Sequence, residues 1–353
     1  MQCSFLVPGD LDAHTGGYTY DRHIIDELRA LQWQVDVHAL GDGFPAPGAQ
    51  ARARAARVVE ALPDGMLAVV DGLAFGVLDE LAHRHARRLR WVALVHHPLS
   101  LETGLDPDRR RALFESESSA LAAACSVIVT SPFTARGLAT FGVAPSSISI
   151  VIPGTEPAAP AVGSGGEALS LLCVATITPR KGHAVLIEAL AGLKDRAWTL
   201  HCVGSQAMDA ACAAALREAI DRHGLRERVV LHGDQAETDL PAFYAVADAF
   251  VLTSFHEGYG MALAEALARG LPVISTRAGA IADTVPAEAG ELVPPGDVSA
   301  LRTALQRLMD DTAWRARLRA GAMSARLALP TWAQSGARFA SALADAMQRP
   351  HAA

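Results

Sequence analysis

Twice along its 353 residues the chain alternates short apolar segments with longer amphipathic ones, and a stretch rich in Pro, Gly, Ser and Ala separates the two runs. Parallel sheets covered by helices on both faces require that alternation, because every crossover must carry a helix and every strand is buried on two sides. In the first run, strands are expected near residues 3–7, 35–39, 67–71, 91–95, 127–130 and 148–152, with helices filling the gaps. The segment 153–167 lacks periodicity and reads as a connection between domains. The second run predicts strands near residues 171–175, 198–203, 229–232, 249–252, 272–275 and 291–293. After Pro294 and Pro295 come three helix-like stretches, the last over 332–347, with no strand to follow it. The fold class expected is α/β, with two doubly wound parallel sheets, a first domain over 1–160 and a second over 161–331. In such sheets ligands sit outside the carboxyl ends of the strands, so two sheets facing each other imply a site split between the domains.

Hydrophobic residues make up 50% of the chain and charged residues 20%, with no apolar run near the roughly 18 residues a membrane-spanning helix needs. The opening MQCSFLVPGD suits a first strand better than a secretory signal, and a cytoplasmic location is the expectation. Cys3, Cys125, Cys173, Cys202 and Cys212 are odd in number and widely spaced, which reads as buried thiols rather than a disulfide framework or a zinc site. The net charge of -7 is spread evenly: 17 acidic against 13 basic residues up to residue 150, and 21 against 18 beyond it. Neither half has the charge of a nucleic-acid binder.

Four segments carry chemistry. In SFHEGYGMALAEALARGLPVIS, residues 254–275, Gly258 and Gly260 permit close approach of backbone to a ligand, and a helix starting near Met261 offers open N–H groups to an anion such as a diphosphate. Glu257 in the loop and Glu265 one turn into the helix can accept hydrogen bonds from hydroxyls on two sides of the phosphates, or else are a capping acid and a solvated one in an ordinary strand-to-helix turn. In VATITPRKGH, residues 174–183, Arg180 and Lys181 adjoin Gly182 just past a strand, where a planar fork and a compact charge suit a departing diphosphate or, more plainly, solvent. In HTGGYTYDRHIIDEL, residues 14–28, Gly16 and Gly17 immediately precede an amphipathic helix and make either a ligand loop or a plain turn. In VALVHHPLSLETG, His96 and His97 follow a strand end, where an imidazole can orient a sugar hydroxyl.

Together these segments resemble glycosyltransferase family 4, the retaining GT-B enzymes that use nucleotide sugars. The carboxylates Glu257 and Glu265, with seven residues between them in EGYGMALAE, are similar to that family's signature, and PRKG, GLPVIS and PPGD fall where it has counterparts. The likeness covers essentially the whole chain and is strongest over 171–297. It implies that Glu265 holds the ribose hydroxyls and Glu257 the transferred sugar, that Arg180 and Lys181 neutralise the diphosphate, and that the backbone of Gly260, Met261 and Ala262, with Gly258 and Tyr259 beside it, joins them. Gly16 and Gly17 match the family's amino-terminal glycine loop, and His96 matches its amino-domain histidine better than His97. The last helix, from Trp332, would cross back to the first domain. One position departs: many members have an arginine where this chain has Thr176, and Arg180 would supply that charge.

The resemblance implies transfer of a hexose from a UDP- or GDP-sugar with retention of configuration. The leaving diphosphate itself would accept the acceptor's proton, so no metal or further cofactor is expected. Asp10-Leu11-Asp12 imitates the DxD motif of metal-dependent transferases, but two loop acids beside a sheet are commonplace. A sugar-nucleotide epimerase or a phosphorylase would share the architecture without this carboxylate pair, and a non-catalytic nucleotide-sugar-binding protein would not need both Glu257 and Lys181. The partners expected are a donor and a small-molecule or glycan acceptor, without nucleic acid. The clusters Arg84, Arg87, Arg88, Arg90 and Arg109, Arg110, Arg111 admit membrane contact but favour a solvated helix end.

Overall fold

The computed structural model describes residues 1–13 and 15–350; His14, which opens the glycine segment, lies outside them. The chain divides into two compact units, Met1–Gly154 with Pro330–Ala353, and Thr155–Leu329. In the first, β1 (Gln2–Val7), β2 (Gln34–Ala39), β3 (Leu67–Asp71), β4 (Arg90–Val95), β5 (Ser126–Val129) and β6 (Ile148–Ile150) form one sheet in the order β2-β1-β3-β4-β5-β6. All its pairings are parallel. Phe5, Val69 and Leu94 are fully buried, as strands covered on both faces must be. The order reverses between β1 and β3, the kind of place where open parallel sheets hold ligands outside the carboxyl ends of their strands.

The final helix, Trp332–Gln348, belongs to this first unit. A capping box starts it: the Thr331 hydroxyl accepts from the Gln334 N–H while the Gln334 side chain accepts from the Thr331 N–H. Its first turn then stacks Trp332 on His23 of the helix Gly16–Ala30, ring centroids 4.1 Å apart. Phe339 meets Phe5 of β1 at 6.4 Å, and the Ser335 hydroxyl donates to the Ile152 carbonyl at 2.8 Å.

In the second unit β7 (Leu169–Val174), β8 (Trp198–Val203), β9 (Val229–Gly233), β10 (Ala249–Leu252), β11 (Val273–Thr276) and β12 (Gly290–Val293) pair in parallel in the order β12-β11-β10-β7-β8-β9. Here the order reverses between β7 and β10. Trp198, Tyr244 and Phe250 are the largest side chains closing the core.

Two expectations need correction. Segment 153–167 is irregular and does contain the passage between the units, but the division falls between Gly154 and Thr155 rather than after residue 160, so most of the segment belongs to the second unit. The Ala161 N–H donates to the Arg269 carbonyl and the Val162 N–H to that of Ala245, both at 2.8 Å, so backbone bonds that water would otherwise make are made to that unit. Gly16 and Gly17, read as a loop before a helix, are instead the first two residues of the helix Gly16–Ala30, with Thr15 as the cap that accepts from Tyr18 N–H. The next N–H groups need a cap in any case, and Thr15 supplies it.

Candidate active site

The loops after β7 and β10 leave the two strands that flank the reversal in the second sheet, and they are bonded into one structure. The Phe255 N–H donates to the Arg180 carbonyl at 2.7 Å, and the Thr253 hydroxyl to the Gly182 carbonyl at 2.9 Å. Gly182 adopts φ +68°, and a Cβ there would lie 2.1 Å from the Thr253 carbonyl oxygen, so the position excludes a side chain twice over. From the other side the Ala280 N–H donates to the Glu257 carbonyl at 2.9 Å, and the Thr284 hydroxyl to that of Tyr259 at 2.7 Å. The loop carrying Glu257, Gly258, Tyr259 and Gly260 is therefore braced along its length.

Within this frame Glu257 is only 6% exposed. Its Oε1 lies 2.6 Å from Lys181 Nζ and accepts from the Ser254 hydroxyl at 2.5 Å, while Oε2 lies 3.7 Å from an Arg180 nitrogen. Burial pushes this carboxyl up, but the charges of Lys181 and Arg180 and the bonds from Lys181 and Ser254 outweigh burial and hold it below the ordinary glutamate value. Arg180 also donates to the His256 carbonyl at 3.0 Å. Two cations and one carboxylate thus meet at the carboxyl end of the sheet.

The helix Met261–Ala268 begins beside that charge. Gly260, at φ +91°, starts it with no side-chain cap, and Gly182 starts the helix His183–Ala191 likewise. Elsewhere in the unit Asp209, Asp297 and Asp311 cap helices through their carboxylates. The helices bordering the reversal thus keep N-terminal N–H groups, including those of Met261 and Ala262, for an anion. Glu265, four residues into the first of these helices, accepts from the fully buried Tyr244 hydroxyl at 2.8 Å. The Arg269 guanidinium lies over the Tyr244 ring, 4.5 Å from its centroid, and donates to the Glu265 carbonyl at 3.0 Å. Burial raises the Glu265 carboxyl above its ordinary value despite the bond from Tyr244 and the charge of Arg269. Thr176 lies half-buried between β7 and the turn that carries Arg180.

The first unit holds a second cluster. His96, directly after β4, places Nε2 3.1 Å from Asp21 Oδ1 and 3.6 Å from Asp71 Oδ2. Gly17 faces the same ring: a Cβ there would lie 3.5 Å from its Cδ2. His97 turns elsewhere, 4.0 Å from Glu102. The Asp10-Leu11-Asp12 segment is a local turn in which Asp10 Oδ1 accepts the Asp12 N–H at 3.0 Å.

Arg88, counted in a basic cluster by sequence, donates to the carbonyls of Leu62 and Val59 and to the His85 ring, so it fastens the fold rather than standing free. Among the described residues no helix is long and apolar enough to cross a membrane. Sequence reasoning missed Ser254, Tyr244, Asp21 and Asp71. Asp71 ends β3 as Val95 ends β4, so its place at the strand's carboxyl end was a usable signal; Tyr244 sits in a helix whose pattern does not set it apart.

Residues 168–311 match the family model described as Glycosyl transferases group 1. Over 222 residues the chain is 29% identical to a D-inositol 3-phosphate glycosyltransferase of Corynebacterium glutamicum, covering 58% of this chain and 53% of that one. The chain spans about half, or less, of the length of the curated relatives it matches. Among solved structures, sucrose-phosphate synthase from Thermosynechococcus elongatus superposes with a TM-score of 0.82 at 23% identity over 97% of this chain and 98% of that one. HepE of Anabaena, solved in complex with UDP-glucose, superposes with a TM-score of 0.78 at 18% identity, covering 97% and 99%. At those identities the structures speak for the fold, and the family match for the lineage of the second unit. The chain is similar to GT4-type glycosyltransferases: it has the GT-B fold, and its residues 168–311 match the model of the group 1 glycosyl transferases.

Proposed function

We propose that the chain is a retaining hexosyltransferase that takes its sugar from a nucleoside diphosphate donor. The observation that carries this reading is the buried Lys181–Glu257 contact of 2.6 Å, set beside Arg180 and the uncapped start of the helix Met261–Ala268. A diphosphate lying there meets two cations and open N–H groups, in a setting where charge interactions are stronger than in water. The Glu257 carboxylate stays ionised and can accept from hydroxyls of the transferred hexose. Glu265, oriented by Tyr244, accepts from the ribose hydroxyls. The bond from the anomeric carbon to the diphosphate oxygen breaks, the acceptor oxygen bonds to that carbon on the same face, and the acceptor's proton passes to the departing phosphate oxygen. Lys181 and Arg180 offset the charge that grows on that oxygen. This route calls for no metal, no cofactor beyond the donor and no protein base.

The curated relatives act on several acceptors, and the acceptor here is read as a small molecule or a glycan. The donor is sought in a panel of UDP- and GDP-hexoses by thermal shift. The bound one is then incubated with candidate acceptors, with nucleoside diphosphate release and product anomeric configuration followed by proton NMR. Retained configuration is expected; an inverted product, or an epimerised donor in the absence of acceptor, overturns the reading.

A further inference from the structure

Three elements of the first unit bring three titratable side chains to one point beside the reversal of its sheet. Asp71 ends β3, His96 follows β4, and Asp21 lies in the helix Gly16–Ala30 that follows β1. Asp21 is 0% exposed and Asp71 3%. One carboxylate oxygen of each and a His96 ring nitrogen fall within 4.8 Å of one another. Asp71 Oδ1 accepts the Leu73 N–H at 2.6 Å, and Asp21 Oδ1 faces the imidazole at 3.1 Å. Asp21 Oδ2 is left buried with no hydrogen-bond partner among the described residues. With both carboxylates ionised and the imidazole protonated, two buried carboxylates beside a partly exposed imidazole would hold one uncompensated negative charge and one orphaned acceptor, each costly. A single proton held between the two carboxyls removes both faults.

We propose that Asp21 and Asp71 share one proton and act as positioning residues that hold His96 as an imidazolium, engaging its Nε2 and leaving Nδ1–H for a sugar hydroxyl. Neighbouring groups agree with that charge state. Burial first, then the charge of Asp21, pushes Asp71 up to about 7, against the lowering effect of His96 and the Leu73 N–H. Burial opposes the charged form of His96, but the bond and charge of Asp21 and the charge of Asp71 outweigh it and raise the imidazole. From the same helix, Tyr18 stays neutral: burial and the charges of Asp71, Asp21, Asp42 and Asp10 push its hydroxyl up to about 12. Tyr20, fully buried, meets the His96 ring edge-on at 5.2 Å, and burial and Asp21 raise it well above its ordinary value. The role of Nδ1 rests on the reading of the chain as a glycosyltransferase; the charge state of the cluster does not.

The experiment therefore begins without nucleotide. The His96 ring resonance, assigned by its loss in His96→Gln, is titrated by NMR in wild type, Asp21→Asn and Asp71→Asn. A wild-type midpoint above the ordinary histidine value is expected, lowered in each variant and most in Asp21→Asn, where the nearer carboxylate is gone. A wild-type midpoint at or below the ordinary value, or one unmoved in both variants, overturns the proposal, and the wild-type titration decides even if a variant fails to fold. A His96 resonance that moves on adding Mg²⁺ or Mn²⁺ and returns with chelator also overturns it, by giving the proton's place to a cation. The sugar contact is read separately. If the midpoint falls by about one unit in Asp21→Asn, kcat/KM should fall about tenfold above both midpoints and recover below them. A uniform loss at every pH refutes positioning. Absence of any turnover in wild type would sink the transferase reading while leaving the titration result standing.

Discussion

Lys181 shows how much one side chain can carry. Its ammonium is the closest countercharge of a carboxylate that is 6% exposed. Removing one partner of a buried pair costs about 3–5 kcal/mol, because the other charge is left uncompensated. Lys181→Ala should therefore lower the thermal midpoint as well as reduce kcat by about 10²–10³, the range for losing one preorganised donor; turnover within threefold of wild type would remove Lys181 from the mechanism. The same pair predicts acid sensitivity. Because Glu257 is held below its ordinary value, its stabilising effect is complete above that value and is lost as the pH falls through the lower, folded one. Wild type should lose more stability than Glu257→Gln on acidification below about pH 4.5 in a urea-melt series, and equal slopes would refute the pairing.

At the scale of elements, the short turn Leu99–Leu101 after His96 depends on the helix Pro107–Ala122. Glu117 of that helix is 1% exposed, and its Oε2 accepts the Leu99 N–H at 2.9 Å. Burial raises its carboxyl from 4.5 to about 8 despite bonds from the Leu99 and Ser100 N–H groups. The folded state therefore holds this proton more tightly than the unfolded one, and the advantage present below about pH 4.5 fades as the pH rises to about 8. Glu117→Gln, neutral throughout, should flatten the decline in melting temperature between pH 5 and 9; an unchanged decline would show that Glu117 does not cause it. Strand positions were the most legible elements: those read at 67–71, 198–203 and 249–252 are β3, β8 and β10 to the residue. The helix start at Gly16 was not legible, because a glycine pair signals a loop unless the preceding Thr15 is recognised as its cap.

For the whole molecule, the division into Met1–Gly154 with Pro330–Ala353 and Thr155–Leu329 makes stability a property of two units. A donor bound by second-unit residues raises that unit's transition by about 2.7 kcal/mol at a hundredfold excess over Kd. Ending the chain after Leu329 removes Trp332 and Phe339 from their partners His23 and Phe5, so the first unit should lose its calorimetric transition while the donor-sensitive one persists. A truncated chain that keeps both transitions would show that the last helix is dispensable to the first unit.

The sequence by itself determined that the chain builds two parallel α/β sheets, since the alternation of apolar strands and amphipathic crossovers admits little else. It also marked Glu257, Glu265, Arg180, Lys181 and His96 as polar residues at strand ends or helix starts, where backbone groups and side chains are open to ligands. Only the tertiary structure decided which strands are neighbours. β7 lies beside β10 rather than beside β8 alone, and that adjacency brings Lys181 to Glu257 across 76 residues. Tyr244 reaching Glu265, and Asp21 and Asp71 reaching His96, are likewise products of packing. The physical reason is that periodicity records which face of an element is buried, whereas strand order is set by how the crossover helices pack, and no single element encodes it.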